Sequence, residues 1–245
     1  SKVDVLNRDE YIEFAIEERN NTWVLQGGNP TDPNSVRTNA NYWIDPLWLT
    51  DPKSFPDHDW QELISRSAPV QNYQLSASGA NDAVSYFISG NYFDQKGIIL
   101  GSDFRRLSFR ANVETKLGRN VNIGLNLAAS SSDKNDSEGD SNQGPVSRSA
   151  RVAPIVGLEQ QTQSGGYYPY HAAFYLNPIA LATELTNKTN SRNLRANIYS
   201  TIQLAKGLKF RTSFGGDYLS DLNQYFKPDN INRGTGHVGS VATGT

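Results

Sequence analysis

Residues 106–117 read RLSFRANVETKL and alternate strictly between polar and apolar side chains. Successive side chains of a β-strand point to opposite faces of the sheet. This stretch therefore predicts a strand with an apolar face, from Leu107 to Leu117, and a polar, partly charged face, from Arg106 to Lys116. Ordinary strands have about 5–6 residues, whereas a tilted strand that crosses a bilayer needs roughly 9–11. The stretch is long enough to cross a membrane.

The same alternation recurs along the chain. It is found at residues 84–93, 122–130, 194–204 and 208–215, with small and polar side chains on the second face. Because lysine and arginine are costly to bury in the dry core of a sandwich, we expect the polar faces to line a water-filled lumen or to face the solvent, and a wet lumen is typical of an outer-membrane barrel. The side chains predicted to face the lumen are Arg106, Arg110, Asn126, Arg195 and Arg211.

The connections between these segments alternate in length. Residues 78–82, 118–120 and 205–207 are short turns rich in Gly, Asn, Asp and Lys, as hairpins require. The intervening links, at 94–103 and 131–145, are longer. Short turns at one end and long loops at the other are typical of a barrel with periplasmic turns and extracellular loops.

These patterns together predict an all-β fold. Residues 70–245 are expected to form an antiparallel transmembrane β-barrel section, with about seven or eight strands of a larger barrel. So few strands would leave an unclosed sheet with exposed edges. We therefore expect the chain to be a section of a longer protein.

Residues 1–69 have a different character. Asn7 and Glu10 form a capping-box pattern that predicts a short helix ending at about Arg19. Residues 27–56 are rich in Pro, Asn and Asp with interspersed aromatic residues, which indicates an irregular segment. A second short helix is expected at residues 59–65, before the first strand.

Composition narrows the function classes. The net charge of −2 gives no reason to expect a nucleic-acid partner, and the absence of cysteine excludes disulfides and cysteine-based metal sites. The sequence contains no run of about 18 apolar residues, so it predicts no transmembrane helix. We expect no cofactor, no metal centre and no catalytic residue.

Several motifs appear in order along the chain. They are DWQE at 59–62, APVQNYQLSASG at 68–79, YFISGNYFDQKGII at 86–99, GSDFRR at 101–106 and NPIA at 177–180. In this order and spacing they resemble the early barrel of SusC/RagA-type TonB-dependent outer-membrane transporters.

The resemblance implies a function. Such a protein lies in the outer membrane of a Gram-negative bacterium, holds a plug in its lumen and works with a SusD-like surface lipoprotein and the TonB complex. It imports oligosaccharide or peptide fragments and is not an enzyme. By the same resemblance, residues 1–69 are the junction between plug and barrel.

Tyr167, Tyr168 and Tyr170 are the candidate ligand contacts. Tyrosine offers a flat apolar ring and a hydroxyl group, which suits stacking on a sugar or holding a peptide. The favoured alternative, since aromatic side chains most often serve packing, is that these rings pin a long loop to the barrel or to its partner. The acidic residues at 133–140 are expected to form a solvated loop, with calcium binding as the less favoured alternative because the spacing departs from that of an EF-hand.

Two other function classes remain open from the residues alone. One is a soluble, secreted β-sheet module that binds carbohydrate, and the other is part of a glycoside-cleaving enzyme. The first requires apolar faces buried in a sandwich core, against which the charged polar faces argue. No motif supports the second.

Overall fold

The computed structural model describes residues 2–137, 144–158, 177–226 and 242–243. In this part of the chain the strands form one antiparallel sheet in sequence order. They are β1 (Val70–Ala80), β2 (Val84–Lys96), β3 (Asp103–Leu117), β4 (Val121–Asn135), β5 (Thr186–Ala205), β6 (Leu208–Phe226) and the two-residue β7 (Ala242–Thr243). The predicted antiparallel barrel section is confirmed, and the sheet does not close within these residues.

The helical elements lie outside the sheet. They are α1 (Arg8–Leu25), α2 (Pro46–Thr50), α3 (Trp60–Leu63), α4 (Pro145–Ser149) and α5 (Pro178–Thr183), with 3₁₀ turns at Ala40–Tyr42 and Pro52–Ser54. Among the described residues, no helix combines the length and the apolar character needed to span a membrane.

The register of the sheet keeps the apolar rows of neighbouring strands on one face. Directly opposite residues share a face, and one row across six strands is Leu75, Gly90, Phe109, Ala129, Leu194 and Tyr218. A slip of one residue would move a strand's apolar side chains to the other face. The alternation predicted separately for each strand therefore combines into one continuous apolar band.

The height of this band fits a bilayer. It extends along β3 from Leu107 to Leu117, which is roughly 34 Å at the rise of an antiparallel strand. A strand tilt of about 40° reduces that to roughly 25 Å, the height of the apolar band of an outer-membrane barrel. At the Leu107 end of the band, the Tyr73 and Tyr92 rings stack with centroids 6.5 Å apart, as in an interfacial aromatic girdle.

No protein core covers the band in the described part of the chain. The side chains of Leu75 and Phe214 are 81% and 79% exposed. The sandwich core that a soluble module requires is not found on this face, which argues against the secreted-module alternative.

The protein's core lies instead at one end of the sheet. We use the name cap for residues 2–69, 144–158 and 177–185. One cluster joins Ile12 and Ala15 of α1 to Trp48, Phe55 and Ile155. A second cluster joins Trp60 to two valines of the β4–β5 connection, Val152 and Val156, and a third lies around α5.

Helix α1 is longer than predicted. It begins after the Asn7 cap as expected, with the capping box formed by Glu10, but it runs to Leu25 instead of ending near Arg19. Arg19 and Trp23 continue the buried stripe of the helix, and the Arg19 guanidinium lies 4.3 Å from the centre of the Trp48 ring. The sequence pattern predicted an end at Arg19 because a buried arginine does not count as apolar in such a pattern.

Two other boundaries also differ from the prediction. Residues 131–135, assigned to a loop, continue β4, and residues 186–193 begin β5 before the predicted start. These stretches carry polar side chains on both faces, so they do not alternate. They lie beyond the apolar band, where both faces of a strand can be wet.

The cap lies at the end of the sheet that carries the long connections. Ser65 forms a bridge with Ile99 of the β2–β3 connection, and the Trp60 Nε1 donates to the Ala153 carbonyl at 3.1 Å. The short turns near residues 81–83, 118–120 and 206–207 lie at the opposite end. The predicted plug-to-barrel junction therefore packs beside the long connections.

Candidate functional site

The residues predicted to face a lumen lie together on the polar face of the sheet. The register aligns Arg110 with Ala128 and Arg195, and aligns Asn112 with Asn126 and Asn197. Arg106 and Arg211 have the same parity as these residues on their own strands. The sequence prediction that these side chains share a face agrees with the register, while their position in a lumen stays a prediction.

Three of these arginines border one depression on the polar face. Its volume is about 470 Å³, within the range of small-molecule sites. Around the guanidinium groups of Arg106, Arg110 and Arg195 lie the amide side chains Gln74, Asn91 and Asn193. The lining of the depression is therefore rich in hydrogen-bonding groups.

The arginines of the depression differ in their contacts. The Arg195 Nε lies 3.2 Å from Asp217 Oδ1, but both side chains are about two-thirds exposed, so this pair contributes only about 0.2–1 kcal/mol. The Arg106 guanidinium lies 5.9 Å from the centre of the Phe93 ring. Arg110 is exposed and has no ion pair among the described residues.

A second polar cluster lies nearer to the short turns. The Tyr199 hydroxyl donates to Glu114 Oε2 at 2.7 Å, and the Arg211 guanidinium lies 4.3 Å from the centre of the Tyr199 ring. The ring covers Gly124, its cross-strand neighbour, where a Cβ would collide with it. Sequence reasoning missed this cluster, although a glycine inside a strand signals close approach.

Two sequence-predicted features cannot be placed fully. Tyr167, Tyr168 and Tyr170 lie outside the described residues. In the acidic stretch, Asp136 accepts a hydrogen bond from Lys134 Nζ at 2.8 Å, and Glu138 and Asp140 also lie outside. Within the described ranges, no group of three or more potential metal-ligating side chains comes together.

Hydrogen bonds order the acidic side chains of the cap. Asp32 Oδ2 accepts from the backbone N–H of Asn29 at 2.8 Å and from the Trp23 Nε1 at 2.9 Å, and these bonds lower the pKa of Asp32 below its ordinary value. The hydrogen bond from Lys2 Nζ, at 2.8 Å, likewise lowers the pKa of Asp59.

Comparisons with known proteins identify relatives. No family model matches the chain. It is 34% identical over 193 residues to TonB-dependent receptor P3 of Formosa agariphila, covering 76% of this chain and 19% of the receptor. TonB-dependent receptor P26 of the same organism is 28% identical over 200 residues, covering 79% and 20%. The chain thus spans about a fifth of the length of these relatives.

Solved structures share the fold. The RagAB peptide importer in its closed-closed state matches with a TM-score of 0.66 and 20% identity, over 93% of this chain and 27% of that one. A second structure of the RagAB peptide transporter matches with a TM-score of 0.63 and 18% identity, over 91% and 26%. These relatives are named as receptors and transporters, not as enzymes. The chain therefore belongs to the TonB-dependent receptors, and its fold is that of a section of the RagAB barrel.

Proposed function

We propose that this chain forms part of the wall and outer loops of a TonB-dependent importer in the outer membrane of a Gram-negative bacterium. The parent protein takes up oligosaccharide or peptide fragments together with a SusD-like surface lipoprotein. The main support is the continuous, uncovered apolar band, whose estimated height of roughly 25 Å matches the hydrocarbon-facing belt of such barrels.

The two faces of the sheet support different parts of this proposal. The apolar face suits contact with lipid, because no core cluster of the described residues covers it. The opposite face carries arginines, amides and hydroxyls, which suit a wet passage. In this proposal each strand therefore contacts hydrocarbon with one face and water with the other.

The cap suits the outer surface. It packs against the long connections, which in outer-membrane barrels are extracellular. Tyr167, Tyr168 and Tyr170 belong to the long β4–β5 connection, and we propose them as ligand contacts near the entrance. RagAB is a peptide importer by name, which supports peptide as one possible cargo beside oligosaccharide.

The proposal is tested by placing arginine on either face of the same strands in the whole receptor. Phe109→Arg and Leu125→Arg put a charge on the apolar face, whereas Ser108→Arg and Asn126→Arg put one on the polar face at neighbouring positions. Arginine facing lipid near the midplane costs about 2–4 kcal/mol. We expect the first pair to reduce the amount of folded receptor in the outer membrane and the second pair to leave it unchanged.

Transport is measured in the same strains. Uptake of labelled oligosaccharides and peptides is compared with and without TonB, using Asn126→Arg as the control for correct assembly because Asn126 lies outside the arginine-lined depression. Equal assembly defects on both faces would contradict the membrane-spanning arrangement. A receptor that assembles but supports no TonB-dependent uptake would contradict the import function.

A further inference from the structure

The polar face has an excess of positive charge. Among the described strand residues that share this face, cations outnumber carboxylates: the cations are Arg106, Arg110, Lys116, Lys134, Arg195, Lys209 and Arg211, and the carboxylates are Glu114, Asp217 and Asp221. Glu114 is engaged by Tyr199, and Asp217 lies beside Arg195. The other two arginines of the depression, Arg106 and Arg110, have no carboxylate partner in the described ranges.

The depression leaves open space at these cations. Its floor is made of small side chains, Ser89, Ser108, Ala128 and Ser130, which lie between the longer arginines. The open volume is about 470 Å³, enough for a sugar ring or a few side chains of a peptide. Larger side chains at these four positions would occupy the depression and leave no room for a ligand.

The donors suit one class of chemical group. A guanidinium presents its N–H groups in a planar fork that matches carboxylates and sulfates, often with two hydrogen bonds at once. The amides of Gln74 and Asn193 add donors and acceptors for neutral hydroxyl or peptide groups, while the Asn91 amide, whose nitrogen donates to Asn72 and Tyr73, adds its oxygen as an acceptor. The combination favours a polar ligand with negative charges.

We infer that this depression, bordered by Arg106, Arg110 and Arg195, binds the anionic groups of the imported fragment and gives the importer a preference for acidic cargo. This inference rests on the proposed import function and adds the charge of its substrate. The occupant is the carboxylate- or sulfate-bearing cargo itself.

The test uses pairs of probes that differ only in charge. One pair is a short oligogalacturonate and its methyl ester, and the other is a peptide containing glutamate and its glutamine counterpart. Binding to the purified whole receptor and uptake by cells are measured for each member. The wild-type receptor is expected to prefer the charged member of at least one pair.

The variant for this test is the double substitution Arg106→Gln and Arg110→Gln. Losing two charge-assisted contacts is expected to weaken binding of the charged probe about tenfold, equivalent to about 1.4 kcal/mol, and to leave binding of its neutral partner unchanged. The matched control is Lys116→Gln with Lys209→Gln, which removes two cations from the same face outside the depression. The control is expected to keep the preference.

Other results would overturn the inference. One is equal binding of charged and neutral probes by the wild-type receptor, and another is a charge preference that survives the double substitution. A third is a lower thermal stability of the variant with an unchanged preference, which would mean that the arginines hold carboxylates of the receptor itself. Neutral-probe uptake that still requires TonB shows that import stands when only the charge inference fails.

Discussion

The sheet and the cap of this protein differ in where they place their apolar side chains. The sheet leaves large apolar side chains such as Leu75 and Phe214 uncovered, while the cap buries Trp60 to 2% exposure. The sheet is held by hydrogen bonds between strands that follow one another along the chain, and the cap by contacts such as that between Trp60 and Ala153. An apolar side chain therefore means contact with lipid in one region and contact with protein in the other.

This difference teaches how each region gains stability. In the sheet, backbone groups pair within the ladder and lipid supplies the apolar surroundings. In the cap, burial of aromatic and aliphatic side chains must offset the entropy of ordering an irregular chain. Mutations should therefore have different consequences in the two regions.

The largest expected effect is that of Trp60→Ala. Removing a buried tryptophan costs about 3–5 kcal/mol, here with loss of the hydrogen bond to Ala153. The expected result is faster amide hydrogen exchange at residues 58–66 and 150–156 of the whole receptor. The matched substitution is Phe214→Ala in the apolar band, which removes contacts with lipid. If Phe214→Ala loosened the cap as much as Trp60→Ala, the distinction between the regions would be wrong.

The next effect compares glycines at the two ends of the sheet. Gly101, in the β2–β3 connection, has φ = +76°, and a Cβ there would collide with the Ala182 carbonyl of α5. Gly207, in a short turn, has φ = +85° with no atom within 4 Å of an added Cβ. Gly207→Ala is expected to cost about 1–2 kcal/mol from backbone strain alone, and Gly101→Ala about 1–3 kcal/mol beyond that from overpacking.

Thermal unfolding of the whole receptor measures both glycine variants. Because the collision is with α5, Gly101→Ala is also expected to increase hydrogen exchange at residues 178–185. Equal losses of stability in the two variants would show that α5 does not pack tightly on this connection.

The smallest effect concerns the pH dependence of the cap. The backbone N–H of Asn29 and the Trp23 indole lower the pKa of Asp32 below its ordinary value of 3.8. The ionised carboxylate therefore stabilises the folded cap above pH 3.8, and this contribution is lost as the pH falls through the lower folded value.

The Asp32→Asn variant tests this contribution. Its melting temperature is expected to lie below that of the wild type at neutral pH, and the gap should narrow as the pH falls below 3.8. Asp82→Asn, in the exposed β1–β2 turn, is the control and is expected to match the wild type. A gap that stays constant down to acidic pH would contradict the assigned role of the Asp32 charge.

The sheet was largely predictable from the sequence, because its alternation is local. The apolar row from Leu107 to Leu117 and the parity of Arg106 and Arg110 could be read from one strand at a time. What one strand does not contain is the register, so the contact between Glu114 and Tyr199, 85 positions apart, was not predicted.

The cap was predicted only in part for the same reason. The Asn7 cap was evident from the local pattern, whereas the burial of Arg19 inside α1 involves Trp48, whose ring packs on its guanidinium from a distant part of the chain. The partner of Trp60 lies 93 positions away. Such contacts carry no periodic signal.

The hairpin of β5 and β6 continues well past the apolar band. From Arg192 to Thr186, β5 remains paired with β6 for roughly 20 Å along the strand, and Leu185 packs near Tyr225 at the ends of the two strands that lie farthest from their turn. The paired ends of β5 and β6 thus project beyond the apolar band, and α5 packs against them. A crosslink between these projecting ends of β5 and β6 would stiffen the outermost structure without changing the part of the sheet that carries the apolar band.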